Sequence, residues 1–584
     1  MGKKFLIQFF RRNALSYIVG IILMVASTRI RLLYPEYVAH ATDYLVGGGA
    51  QWSGLQTDII MLMVIAVIAF IGAYIWRYLI IGNARKLQKE LRALIFSNFQ
   101  ALSQAFYNKR KTGDLIAYAI NDVNAVRMAF GPALVMSING LAMIVISTLG
   151  ILERLGGWRT IQLLVPIPVV VWIMLKLGTT IRARFRLVQA AFGTVSDRVN
   201  ENINGIRVIK AYVQEDEEVQ KFNGLSEDMA ELNLSMIQVS GLLNPLVQAG
   251  FAVTFGLFFL ICGPLVVQQQ ITLGDFTAVA NYLNMMLTPV MFIGRIINVM
   301  QRGMASMNRL DDVLNHPHEI TDGTGRAREI NSGRIDIVDL DFSYPSTDQV
   351  VLKDINLHLP SGKSLGIIGE TGAGKTTLAN LLLKTYNVPD GKIFIDGNDI
   401  NDYPLGMLLD HMGYVPQDNF LFHDTIDANI RFFKDIYSQD QVIKAARDAQ
   451  IYDSIMELPQ GLFTELGERG VNLSGGQKQR ISIARALIRD PDILILDDAL
   501  SAVDTVTEAQ ILARFKEIRA DKTTIIIAHR ISAVIDCDEI VVLDHNVIQE
   551  RGTHEELLER RGIYFDIYQS QYNDRIRDDD DIAG

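Results

Sequence analysis

Ile493 to Asp498 reads ILILDD, four apolar residues followed by two acids. A short apolar run of this kind reads as a buried strand, and here it delivers two carboxylates to the strand's tip. Upstream stands GETGAGKT, Gly369 to Thr376, which fits G-x-x-x-x-G-K-[ST] at every fixed position. Its surroundings, SLGIIGETGAGKTTLANLLLK, read as strand, glycine loop and helix. Small residues let backbone N–H groups close around phosphates, and the positive end of the helix dipole adds to them. Between the two lies LSGGQ, Leu473 to Gln477. There a serine and two glycines lead into a second helix start, a second place for an anion.

Outward from this core the composition changes. The chain has 584 residues, too many for one core. Hydrophobic residues make up 49% and mean hydropathy is +0.19, with the excess in the first half. Apolar runs occur near 14–37, 59–81, 128–151, 161–178, 242–268 and 276–300. A run of about 20 residues crosses a hydrocarbon core of roughly 30 Å, so six spans are predicted. Lys3, Lys4, Arg11 and Arg12 precede the first span, and the long segments 82–127 and 179–239 are rich in Lys and Arg. The segments 45–58 and 264–275 have neither. This asymmetry predicts cytoplasmic termini and two long cytoplasmic helical extensions. Arg154 and Arg159 between the third and fourth spans are a mild exception. Formal charge is −10, which argues against nucleic acid as a partner. Two cysteines, Cys262 and Cys537, fall in different halves and predict no structural disulfide. Neither a removable signal nor a myristoylation site is expected at the start of the sequence.

Arg29, Arg31 and Glu36 are costly inside a span and there often mark a transport path. By helical rise Arg29 lies about 22 Å beyond Ala14, which predicts a place near the outer interface with the side chain snorkelling. Gln248, Asn281 and Asn284 could line a cavity or bond between helices.

Taken together, GETGAGKT, LSGGQ and ILILDD in this order resemble the nucleotide-binding domain of ATP-binding-cassette (ABC) transporters. The resemblance implies a fold of two parts. An all-α six-helix transmembrane domain with long cytoplasmic extensions (1–320) is followed by a linker (321–332). An α/β P-loop ATPase domain with a helical subdomain (333–572) and an acidic tail (573–584) complete the chain. RKTGDLIAYAINDVNAVR (110–127) and ENINGIRVIKAYVQEDEEVQKF (201–222) resemble the coupling segments of ABC exporters, whose short helices dock on nucleotide domains; two solvated hairpins are the plainer reading.

The resemblance also implies site residues. ATP is expected on Gly369, Glu370, Thr371, Gly372, Ala373, Gly374, Lys375, Thr376 and Thr377, with Lys375 on the β- and γ-phosphates and Glu370 turned away from them. Tyr344 matches the aromatic that stacks on adenine, although a strand aromatic is more often core. Mg²⁺ is expected on Thr376, Gln417 and, through water, Asp497. Ser474, Gly475, Gly476 and Gln477 would take the γ-phosphate held by the other subunit. His529 matches the switch histidine, SAVD (501–504) the D-loop, and ELGERG (465–470) a loop that senses the opposite coupling helix.

One position departs from the family. After the strand's aspartate the family usually has a catalytic glutamate; here it is Asp498. The intrinsic pKa values, about 3.9 and 4.3, barely differ. Reach does, and a misplacement of about 1 Å can cost on the order of 100-fold in rate. The expectation is a half-size exporter in the plasma membrane, hydrolysing ATP and moving a hydrophobic or amphipathic small molecule through membrane lipid. A second half-transporter with a catalytic glutamate would pair with it, since LSGGQ is intact while Asp498 weakens its own site. A homodimer that exports lipid or peptide, and a nucleotide-gated regulator or channel, are the alternatives.

Overall fold

The computed structural model describes residues 2–46 and 52–571 except 328, 346, 348, 468, 469 and 471. The acidic tail 573–584 and Glu468 and Arg469 of the ELGERG loop lie outside the described residues. The chain divides into two compact units, Met1–Gln100 with Thr112–His316, and Ala101–Lys111 with Pro317–Gly584.

The first unit is helical. Six helical stretches among the described residues are long and apolar enough to cross a membrane: Ala14–Val46, Ser53–Ala101, Thr112–Leu155, Gly157–Asn204, Glu215–Val267 and Leu273–Leu314. The second is 49 residues long, about 73 Å at helical rise, so it continues far past any hydrocarbon layer. Thr272 and Asp275 start the sixth with a reciprocal capping box. Small residues bring helices together: a Cβ on Gly303 would lie 2.3 Å from Ala129 Cβ, and one on Gly131 2.6 Å from Ala84 Cβ. Two π-helical turns, Tyr118–Asp122 and Ala129–Ala133, interrupt the third stretch. The first offers Asp122 to Ser306 Oγ at 2.8 Å and to Arg309 Nε at 3.1 Å.

The first span differs from the sequence reading. Its helix turns at Leu32 and Leu33 and resumes as Tyr34–Val46. A Cβ on Gly72 would touch Ser27 Cβ at 2.9 Å, and Gly72 lies within the apolar run 59–81. Arg29 and Arg31 therefore stand opposite the middle of the second span, not at the outer end of the first. The apolar pattern fades after Arg31 because Glu36, His40 and Asp43 interrupt it, which hid the continuation. Arg29 Nη1 pairs with Glu36 at 3.5 Å.

The second unit carries two sheets. β1 (Ile335–Ser343), β2 (Val350–Leu359), β4 (Ile393–Ile395) and β5 (Asn398–Asp399) form an antiparallel sheet ordered β2-β1-β4-β5. The larger sheet runs β10-β9-β3-β8-β7-β6. Its members are β3 (Ser364–Ile368), β6 (Met412–Val415), β7 (Ile493–Asp497), β8 (Thr523–Ile527), β9 (Glu539–Asp544) and β10 (Val547–Gly552). All its pairings are parallel except β10 on β9. Every residue of β7 is buried, as an apolar run inside a parallel sheet requires. Helices Ile426–Arg431, Gln439–Asp448, Tyr452–Met456 and Gly475–Leu487 pack together as a helical subdomain.

The short helix Gln104–Asn108 belongs to this second unit. Ser103 accepts from the Phe106 amide to start it, and Phe106 is buried. The segment 110–127 follows it, and residues from Thr112 onward open the third long stretch. In the segment 201–222 the short helix is Ile206–Tyr212.

Candidate nucleotide site

Strands β3, β8 and β7 are neighbours and end at the same edge, since Ile367 and Asp497 both pair with Ile527. That register brings the glycine loop after β3, the two acids after β7 and His529 after β8 to one place. Ligands in open α/β sheets bind at this carboxyl edge. A cavity of about 320 Å³ lies there, lined by Thr371, Gly372, Gly374, Lys375, Thr376, Thr377, Gln417, Asp497, Asp498, His529 and Tyr344.

The loop's glycines are fixed by space. A Cβ on Gly369 would lie 1.9 Å from Leu543 O. Gly374 has φ +100, and a Cβ there would meet Val351 O at 2.8 Å. Helix Lys375–Leu382 starts from Gly374 with no side-chain cap, so its first N–H groups are left for a ligand. Lys375 is buried, and its Nζ donates to Gly369 O at 2.7 Å and Glu370 O at 2.9 Å. Burial lowers its pKa, with Asp498 and Asp497 opposing. The Glu370 side chain is exposed and does not line the cavity.

Thr376 Oγ1 donates to Asp497 Oδ1 at 3.1 Å, and Tyr414 OH to Asp497 Oδ2 at 3.4 Å. Asp497 is 1% exposed, and burial raises its pKa above the usual carboxylate range. A buried carboxylate beside a hydroxyl suits a hard divalent cation, which would offset that cost. Asp498 follows with φ +50, a left-handed conformation that aspartate tolerates better than most residues. Its amide donates to Ile527 O at 2.8 Å. Gln417 Nε2 reaches its Oδ2 at 3.4 Å.

A second cavity, about 790 Å³, shares Tyr344, Thr376, Gln417 and Asp497 with the first and adds Tyr386, Gln104, Asn108 and Lys109. Tyr344 OH lies 2.7 Å from Thr377 Oγ1, and its ring stands edge-on to Tyr386 at 5.0 Å. Asn108 Nδ2 donates to Tyr386 OH at 3.2 Å. Sequence reasoning missed Tyr386 and Asn108. They are 278 residues apart, and neither sits in a motif.

Ser474 to Gln477 stand apart from these cavities. Ser474 caps helix Gly475–Leu487 through a reciprocal box: Gln477 N donates to Ser474 Oγ at 3.3 Å, and Ser474 N to Gln477 Oε1 at 3.0 Å. Ser474 and Gly475 are exposed. Within one chain the two helix starts do not share a site.

The family models agree with this division. Residues 17–290 match the ABC transporter transmembrane region, and residues 352–501 match the ABC transporter domain. A probable multidrug resistance ABC transporter ATP-binding/permease protein of Bacillus subtilis, YheI, is 38% identical over 96% of both chains. The chain belongs to the ABC transporters. Its relatives include the multidrug resistance-like ATP-binding protein MdlA of Escherichia coli, 35% identical over 98% of this chain and 97% of MdlA. The ATP-dependent lipid A-core flippase of Mannheimia succiniciproducens is 32% identical over 95% of each. A bacterial Atm1-family ABC exporter solved with ATP bound superposes with TM-score 0.76, at 26% identity, over 96% of this chain and 98% of that one. This ABC half-transporter binds ATP with Mg²⁺ and couples its hydrolysis to export across a membrane. Half-transporters of this layout work as dimers.

Proposed function

We propose that this subunit holds ATP at its own P-loop, hydrolyses it slowly, and lends its signature helix to a different subunit that hydrolyses fast. Asp498 carries the reading. Its carboxylate is one methylene shorter than the family's glutamate. Its main chain is pinned to β8 through the bond to Ile527 O, so the backbone cannot advance to make up the reach. The exposed, fully capped Ser474 supports the other half: this chain's signature is intact and faces outward. Tyr344 stacks on adenine, Lys375 and the loop amides hold the phosphates, Thr376, Gln417 and Asp497 hold Mg²⁺, and His529 senses the γ-phosphate.

The exported substrate is an amphipathic small molecule. A cavity of about 350 Å³ in the first unit supports this reading, with Trp76, Met136, Met143 and Phe292 beside Arg31 and Arg77, and no acid in its lining. Both termini and the nucleotide unit face the cytoplasm at the plasma membrane, as the Lys and Arg asymmetry favours.

Reconstitution tests both claims. The chain is placed in liposomes alone and with the half-transporter it co-purifies with, and Mg-ATPase and uptake of a fluorescent amphipath are measured. Activity is expected from the pair and little from the single chain. Robust ATPase and transport from this chain alone would overturn the heterodimer and leave a homodimer.

A further inference from the structure

His529 lines the nucleotide cavity, and among the described residues no hydrogen bond holds its imidazole. The direction of the ring is therefore set by its main chain, and that main chain is gripped on both sides. Just before it, Ala528 N donates to Ile367 O of β3 at 3.1 Å. Just after it, a side chain from 42 residues further on takes over. Gln571 Nε2 donates to His529 O at 2.7 Å, and Gln571 Oε1 accepts from Ile531 N at 3.0 Å. Arg530, between these two bonds, is extended at φ −97 and ψ 132. A primary amide carries donor and acceptor together, as a peptide group does. Gln571 thus pairs with residues 529 and 531 as a neighbouring strand would.

Gln571 can do this because its helix is fixed elsewhere. Residues 563–571 are helical. Glu550 of β10 accepts from the Ile563 amide at 2.6 Å and the Tyr564 amide at 3.0 Å, which satisfies the helix start with a negative charge. Tyr564 is fully buried, and its OH lies 2.8 Å from His554 Nδ1. Ile567 and Tyr568 pack against the same core cluster as Ile531. We propose that Gln571 is a positioning residue for hydrolysis: by holding the His529 carbonyl it sets the aim of the imidazole at the γ-phosphate. Without it both bonds go at once, the peptide after His529 is free to turn, and the ring turns with it. ATP affinity rests on the P-loop amides, Lys375 and the cation site, to which Gln571 makes no hydrogen bond among the described residues. The loss therefore falls on turnover and not on binding. This inference rests on the reading that His529 senses the γ-phosphate.

The test uses the full chain assembled with its partner subunit, in a single turnover. At timed intervals bound azido-ATP labelled in its α-phosphate is photocrosslinked, the subunits are separated, and the ratio of ATP to ADP on this chain is read. Gln571→Ala should slow the conversion about tenfold, the scale of one or two lost hydrogen bonds, with the amount of bound label unchanged. Gln571→Glu keeps the acceptor for Ile531 N, loses the donor to His529 O, and should slow it by a similar factor. His529→Ala should slow it more. Adding Gln571→Ala to His529→Ala should slow it no further, because the glutamine acts through the histidine. Unchanged turnover in Gln571→Ala beside a slow His529→Ala would overturn the proposal and leave His529 its role. Slowing that multiplies in the double variant would mean that Gln571 serves the fold alone, and would overturn it too. Unchanged turnover in His529→Ala would overturn the reading of His529 itself, and the proposal with it. Should Gln571→Ala fail to fold, Gln571→Glu carries the same comparisons.

Discussion

The chain carries two glycine-rich helix starts to which we assign the same ligand, and they are finished differently. Helix Lys375–Leu382 begins at an uncapped glycine in left-handed conformation. Its N–H groups, a buried lysine and Asp497 already converge. Helix Gly475–Leu487 begins at a serine whose hydroxyl and a glutamine side chain satisfy each other's backbone amides. On the proposed reading the first is a preorganised anion site, and the second stays self-satisfied until a phosphate displaces its own cap. A site of the second kind costs nothing when idle and responds to what is brought to it, which suits a surface that completes another subunit's site.

The largest test of this contrast is Lys375→Ala. It removes the charge from the preorganised start and should weaken ATP binding at this chain's site by about 100-fold or more, read by labelled-nucleotide binding. Ser474→Arg should do the reverse. Steady-state ATPase of the assembled pair should fall on the order of 100-fold, while this chain still retains ATP. Loss of that retention would show that the two starts are not separate.

Asp498→Glu restores reach and should raise turnover at this chain's site about 10-fold. A glutamate must adopt the left-handed backbone there, at a cost of roughly 1 kcal/mol, so the gain should stay below the full value of a correctly placed base. No change in turnover would move the weakness away from residue 498. The smallest effect concerns acidity. Burial raises the Asp497 pKa, so its ionised form destabilises the fold as pH rises through that value, and a cation offsets the loss. Mg²⁺ should therefore raise the melting temperature by a few degrees more on the alkaline side of that titration than on its acid side, read from melting curves across a pH series.

These features differed in how far the sequence revealed them. GETGAGKT and LSGGQ are local: a glycine where a Cβ has no room, a serine three residues before the glutamine that caps back to it. Both were legible because the physical demand and the residue that meets it lie within one turn of chain. The six spans were legible because apolar length is also a local sum. The bend at Leu32 and Leu33 was not, because Glu36, His40 and Asp43 mimic an end. The Tyr344–Tyr386–Asn108 contact and the hydrogen bond from Gln479 to Asp498 O depend on pairs apart in the chain. No single stretch announces them.

The way Asp498 is held bears on how such a subunit can arise. Its amide and carbonyl are fixed by Ile527, Ser501 and Gln479, while among the described residues its carboxylate accepts one long hydrogen bond, from Gln417, and feels the charge of Lys375. The backbone geometry thus belongs to neighbours and the side chain is nearly a free variable. On the proposed reading, the length of the side chain at 498 sets turnover while backbone bonds hold the fold, so one Glu-to-Asp exchange there separates a fast subunit from a slow one without touching what keeps the domain folded.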